Sequence, residues 1–164
     1  MTYQGVVLPV ADLVRRAQAR PVHEHTRDTR GVIHTAAANA AQARALLEAG
    51  DTETDLWRFV ILQTLDHYRS TLRRAGTATA ARLFQEEPAP TGSEHIDAAF
   101  AALAQYLANR DDWPAPPWTQ DPTRTTAHWY PDVPDLFRGE AQRESPPAFR
   151  DRGIFITTRS LERA

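Results

Sequence analysis

The sequence predicts an all-α fold, an irregular helical domain of about five or six helices with a Pro/Trp-rich C-terminal segment. Three observations carry this. An alanine-rich run at 36–49 meets a glycine, and capping residues come at once after it. Apolar residues recur at helical spacing through 52–75 and again through 94–109. The one short run that reads as extended is Gly153-Ile154-Phe155-Ile156.

From the N-terminus, Leu8, Leu13 and Val14 give a short helical pattern that Pro21 closes. The polar stretch from Val22 to Thr35 reads as a loop. Ala36–Ala49 is built from the best helix former, and Gly50 is placed to cap it. Asp51 or Thr52 can open the next helix, with Glu53 and Asp55 in its first turn, where the helix dipole favours acids. Leu56, Phe59 and Val60 form one apolar stripe on it; Trp57, Ile61, Leu65, Tyr68 and Leu72 form another. A helix apolar on two sides is expected at the centre of the domain. Gly76 should end it, and a short helix over 77–87 should come next. Ser93 can cap a helix over 94–109 whose buried face is Ile96, Phe100, Leu103 and Leu107.

After Asn109 the texture changes. Residues 112–136 hold six prolines together with Trp113, Trp118 and Trp129. Proline at that density forbids long helices, and the tryptophans predict a loop packed on the domain. The expected organisation is therefore a helical part at 1–110 and a Pro/Trp-rich segment with an Arg/aromatic tail at 111–164, packed on the same domain. Pro134–Ser145 is a candidate short helix, Ser145-Pro146-Pro147 can start another, and Thr158 or Ser160 can open a last turn.

Composition bounds the function. A chain of 164 residues is long enough for a real core. It has no cysteine, which removes disulfides, thiolate zinc sites and thiol nucleophiles. All nineteen basic residues are arginine. The net charge of −2 is unevenly spread: residues 1–84 carry +3, residues 85–121 carry −6 and residues 122–164 carry +1. That is not the balance of a strongly basic nucleic-acid binder. No apolar run is long enough to span a membrane and the N-terminus lacks a signal-peptide pattern, so a cytoplasmic protein is expected.

Motifs for chemistry are weak. His23, Glu24, His25 and His34 are the densest group of metal-ligand types, yet their spacing fits no zinc motif, so no metal is expected. Arg20 with His25, and Arg27 with His34, have a ribonuclease-like spacing that Pro21 and Gly31 interrupt. Asp66 and His67 are neighbours on a helix and diverge by about 100°. No serine lies in a nucleophile elbow and no glycine-rich phosphate loop exists. The expectation is a protein that is not an enzyme and needs no cofactor. The tail differs: Arg143, Arg150, Arg152 and Arg159 interleave with Phe149 and Phe155, a composition enriched in binding hot spots. These six are the candidate partner-binding residues.

The tail also carries a resemblance. Trp129-Tyr130-Pro131-Asp132-Val133-Pro134-Asp135-Leu136, then Glu144-Ser145-Pro146-Pro147-Ala148-Phe149-Arg150-Asp151-Arg152-Gly153-Ile154-Phe155-Ile156, then Leu161-Glu162-Arg163-Ala164, resembles a family of small proteins from high-GC bacteria. Pro116-Pro117-Trp118 and Ala45-Leu46-Leu47-Glu48-Ala49-Gly50-Asp51 look like earlier parts of that family. Their genes often lie beside nucleotidyltransferase-like toxins. The resemblance implies an antitoxin or accessory protein that neutralises a cognate toxin by direct binding. On that expectation the acidic stretch 86–121 could mimic phosphate to a basic cleft. The alternative is a DNA-binding regulator of its own operator. Its recognition helix would be 52–75, whose Trp, Phe, Ile and Leu face argues against a major groove. A histidine-centred enzyme around His23, His25 and His34 is the third reading.

Overall fold

The computed structural model describes residues 34–162. The described residues all belong to one compact unit. His23, Glu24, His25 and the first predicted helix lie outside the described residues.

Helix α1 is Ala36–Ala49. The Thr35 side chain accepts from the Ala38 N–H at its start, and Gly50 closes it in the left-handed conformation. The Thr52 hydroxyl and the Asp55 carboxylate form a reciprocal capping box over α2, Glu53–Leu56. A π-helical turn, Trp57–Ile61, leads into α3, Leu62–Ala81, and a 3-10 turn, Arg82–Phe84. Ser93 caps α4, Glu94–Asp111. After it come 3-10 turns at Pro117–Gln120 and Asp135–Phe137, then α5, Arg138–Glu144, α6, Pro147–Arg150, and a last 3-10 turn, Thr158–Leu161. The fold is all-α. Among the described residues the one β contact is an isolated parallel bridge between Trp129 and Ile154.

The π turn corrects one predicted stripe. Its i→i+5 bond, from the Leu62 N–H to the Trp57 carbonyl, adds a residue to the turn and rotates the rest of the helix about its axis. Leu56, Trp57, Val60, Ile61, Leu65 and Tyr68 are all buried. Phe59, placed with Leu56 and Val60 on the sequence pattern, is instead 63% exposed. Gly76 breaks the helix with φ at 77°, and helical bonding resumes beyond it to Ala81.

The core lies between α1, α3 and α4. Ile96, Phe100, Leu103 and Leu107 of α4 are completely buried, and Ala98, Ala99, Ala101, Ala102 and Ala104 let neighbouring chains approach closely. The Asn39 side-chain amide donates to the Thr64 hydroxyl at 2.7 Å, and that hydroxyl donates to the Val60 carbonyl. This buried pair ties α1 to α3 while leaving both groups bonded.

The Pro/Trp-rich segment shares this core. The Trp118 indole donates to the Phe84 carbonyl at 3.0 Å, and Trp113 stacks on Phe84. Tyr68 donates to Asp111 at 2.6 Å and accepts from the Trp113 indole at 2.9 Å. Burial, then the bond to Asp111, pushes the Tyr68 hydroxyl well above the usual phenol range. Arg124, 5% exposed, lies over the Trp118 ring and donates to Glu87 and to the Pro88 carbonyl.

The packing of α3 gives one histidine a shifted titration. His34 and His67 stack with ring centroids 4.3 Å apart. Burial, then the charge of His34, holds His67 below the ordinary histidine value of about 6.5. The folded chain therefore binds fewer protons than the unfolded chain just below that pH. Stability should be full above about pH 6.5 and fall as the pH drops through the window beneath it. Thermal melts between pH 7.5 and 5 should show this loss, and His67→Gln should flatten it. A slope unchanged by the substitution would refute the assignment.

Candidate interaction surface

The C-terminal segment is folded back by its own hydrogen bonds. Thr126 N–H donates to the Arg152 carbonyl, Trp129 N–H to Gly153 and Phe155 N–H to Trp129, at 2.8–2.9 Å. The Ser145 hydroxyl donates to the Ile154 carbonyl and accepts from the Ile156 N–H. These bonds bring Tyr130, Phe155 and His128 side by side. Phe155 stacks between His128, at 5.4 Å, and Tyr130, at 5.3 Å. The Arg138 guanidinium covers Tyr130 at 5.0 Å. The Gln142 amide donates to the Tyr130 hydroxyl at 2.6 Å and fixes the last ring of the ladder.

Next to Arg138 the surface is apolar. Leu136 is 87% exposed and Phe137 45% exposed, and they are consecutive at the start of α5. Gly139 carries no side chain, and a guanidinium nitrogen of Arg143 lies 3.8 Å from where its Cβ would be. Leu136, Phe137, Arg138 and Arg143 therefore form one apolar and basic patch beside the ladder. Asp135 pairs with Arg138 at 2.9 Å, a solvated pair that adds little. Arg58 of the π turn donates twice to Asp132, which adopts φ of 53°, and pins the loop ahead of the patch.

Of the six residues nominated from the sequence, Arg143 and Phe155 lie on this surface, and Phe149 and Arg152 do not. Phe149 is completely buried, edge-on to Trp57 and Tyr106, so it is a core residue that no partner reaches. Arg152 is half-buried and donates from its two terminal nitrogens to the Ala148 and Thr119 carbonyls. Burial lowers its affinity for its proton relative to a free guanidinium. It acts as a strut between α6 and the 117–120 turn. Phe155 belongs to the ladder, and Arg143 to the patch. Arg143 and Arg159 flank Glu144, which Thr158 holds below the usual carboxylate range by two hydrogen bonds. Arg150 is exposed, 4.0 Å from Asp151.

Sequence reasoning missed Leu136 and Phe137, since an exposed apolar pair and a buried one look alike in sequence. It also missed Glu53 with His95. The His95 Nδ1 lies 2.6 Å from one Glu53 oxygen, the Ser93 hydroxyl bonds the other, and the imidazole stacks on Trp129 at 4.8 Å. The three are not a nucleophile triad, because Ser93 bonds the carboxylate rather than the imidazole and caps α4 through the Ile96 N–H. The group ties the starts of α2 and α4 to the C-terminal segment.

Acids expected to mimic phosphate are largely engaged. Asp111 pairs with Arg110, Asp97 accepts from the Thr91 N–H, Asp121 accepts twice from Thr123 and Glu87 meets Arg124. The apolar face of the central helix points inward, so its composition does not count against a DNA contact. The exposed positions of that helix include Gln63, Asp66, Arg73 and Arg74. Among the described residues no three potential ligands gather as a metal site would need, and no helix is long and apolar enough to cross a membrane.

The chain matches no protein-family model, no curated protein and no solved structure.

Proposed function

We propose that this protein works by binding another protein, as the antitoxin or accessory member of a toxin–antitoxin pair, and that it does no chemistry of its own. The observation that carries the reading is the patch of Leu136, Phe137, Arg138 and Arg143 beside a prebuilt aromatic ladder. Exposed apolar side chains cost solvation and gain only when covered. Arginine and aromatic residues on a rigid base form the usual centre of a protein interface. The ladder is already stacked, so binding need not order it. The antitoxin assignment itself comes from the tail resemblance and from the gene neighbourhood that resemblance implies.

The test is co-expression with the product of the adjacent gene. A complex should survive size exclusion, and the partner's toxicity should be relieved. The double substitution Leu136→Asp with Phe137→Asp should weaken the complex by 100-fold or more, about 3 kcal/mol. Both residues are exposed, so the fold should keep its melting temperature. No complex at all, or a complex indifferent to the double substitution, overturns the proposal. Binding of the adjacent promoter instead, falling steeply with salt, would favour the regulator.

A further inference from the structure

A groove elsewhere in the fold shares no lining residue with that patch. Between the C-terminal half of α4, the turn at 117–122 and α6 runs an open groove of about 420 Å³. Its lining is polar. Gln105, Asn109, Gln120 and Asp121 stand on one side, and Asp151 and Arg152 belong to the chain on the other. Thr119, 1% exposed, forms part of the floor. Gln105 orders the amides: its oxygen accepts from Gln120 at 2.7 Å and from the Thr119 hydroxyl, and its nitrogen donates to the Asn109 oxygen at 2.8 Å. This leaves the Gln120 oxygen as an acceptor and the Asn109 nitrogen as a donor, both held in place.

Chemistry narrows the ligand. No aromatic ring lines the groove, so a nucleobase or sugar would lack the stacking platform such ligands use. Two carboxylates border it. Asp121 is held below the usual carboxylate range by the Thr123 backbone and hydroxyl, and its second oxygen is left over. The one cation in the lining, Arg152, is tethered by one N–H of each terminal nitrogen to the Ala148 and Thr119 carbonyls. A phosphate would meet two anions and a guanidinium already tethered to two carbonyls. Asn109 lies in the last turn of α4, where the helix dipole is negative. The ligand that fits is a planar cation with several donors.

We propose that this groove receives an arginine side chain of a partner protein, with its guanidinium between Asp121 and Asp151 and its flanking peptide groups on the Asn109 nitrogen and the Gln120 oxygen. The site is independent of the apolar patch, so it stands whether or not the antitoxin reading does.

The experiment titrates the isotope-labelled full chain with the blocked tripeptide acetyl-Gly-Arg-Gly-amide and tracks amide resonances by NMR. The expected result is saturable shifts, with a Kd on the order of a millimolar, at the side-chain amides of Gln105, Asn109 and Gln120 and the backbone of residues 119–121 and 151. The citrulline tripeptide should bind at least tenfold more weakly. Propylguanidinium, a singly charged guanidinium without peptide groups, should also be weaker. Asp151→Asn combined with Asp121→Asn, which keeps the acceptor for Thr123, should abolish saturation with the melting temperature retained. Absence of localised shifts, or equal binding of the citrulline peptide, overturns the proposal. Propylguanidinium binding as tightly as the tripeptide overturns the protein-borne source.

Discussion

Gly153→Ala is expected to lower the unfolding free energy by on the order of 4 kcal/mol, which removes a large part of the stability of an ordinary domain. A Cβ at position 153 would lie 1.9 Å from the Thr126 carbonyl oxygen and 2.8 Å from its carbon. Both are backbone atoms, so no flexible side chain can swing away. The residue also has φ at 78°, where any Cβ is strained. Relief requires parting the two segments that meet there, and that stretches the Trp129–Gly153 and Thr126–Arg152 hydrogen bonds. Gly50 supplies the control. Its φ is 100°, yet a Cβ there would meet nothing within 4 Å. Gly50→Ala should therefore cost only about 1 kcal/mol, the backbone share alone. Urea unfolding of the two variants separates conformation from collision. Equal losses would show that close approach to Thr126 contributes nothing.

Local signals made the helices legible. The alanine run, Gly50 and Thr52 specify α1 and the start of α2 through short-range chemistry, and the structure places Ala36–Ala49 and the capping box there. The Ser93 cap and the Ile96, Phe100, Leu103 and Leu107 face are likewise written in a single segment. The features that sequence could not show depend on distant pairs. Phe59 lies in a π turn and faces outward, although its spacing matched the buried stripe. Glu53 and His95 meet across 42 positions, and each has an adequate local role at a helix start. The tail misled for a related reason. Arginine and phenylalanine in alternation describe an interface and a core strut equally well, and only the partners of Phe149 and Arg152 distinguish the two. The groove at Gln105 and Gln120 gave no signal, because isolated amides in a helix and a turn carry no motif.

Phe149→Ala should cost about 3–5 kcal/mol, as loss of a large buried aromatic does. Its ring is completely buried, with centroids 6.2 Å from Trp57 and 5.9 Å from Tyr106 in edge-on contact. Such aromatic pairs add about 0.5–1.5 kcal/mol beyond the area they bury. α6 is one turn long and starts at a proline, so it has no stability apart from this packing. The cost should therefore appear in the cooperative unfolding of the whole domain. Leu136→Asp provides the opposite case. An 87% exposed side chain gives up almost no burial, so stability should stay within about 0.5 kcal/mol of the parent. The two substitutions should thus separate cleanly, one acting on the melting temperature and the other on capture of a partner. Capture by Phe149→Ala, measured well below its lowered melting point, should match the parent, since the surviving folded molecules present the same surface. A variant at Phe149 that melts like the parent but no longer captures would return that residue to the interface, and the assignment of the tail to the core would fall with it.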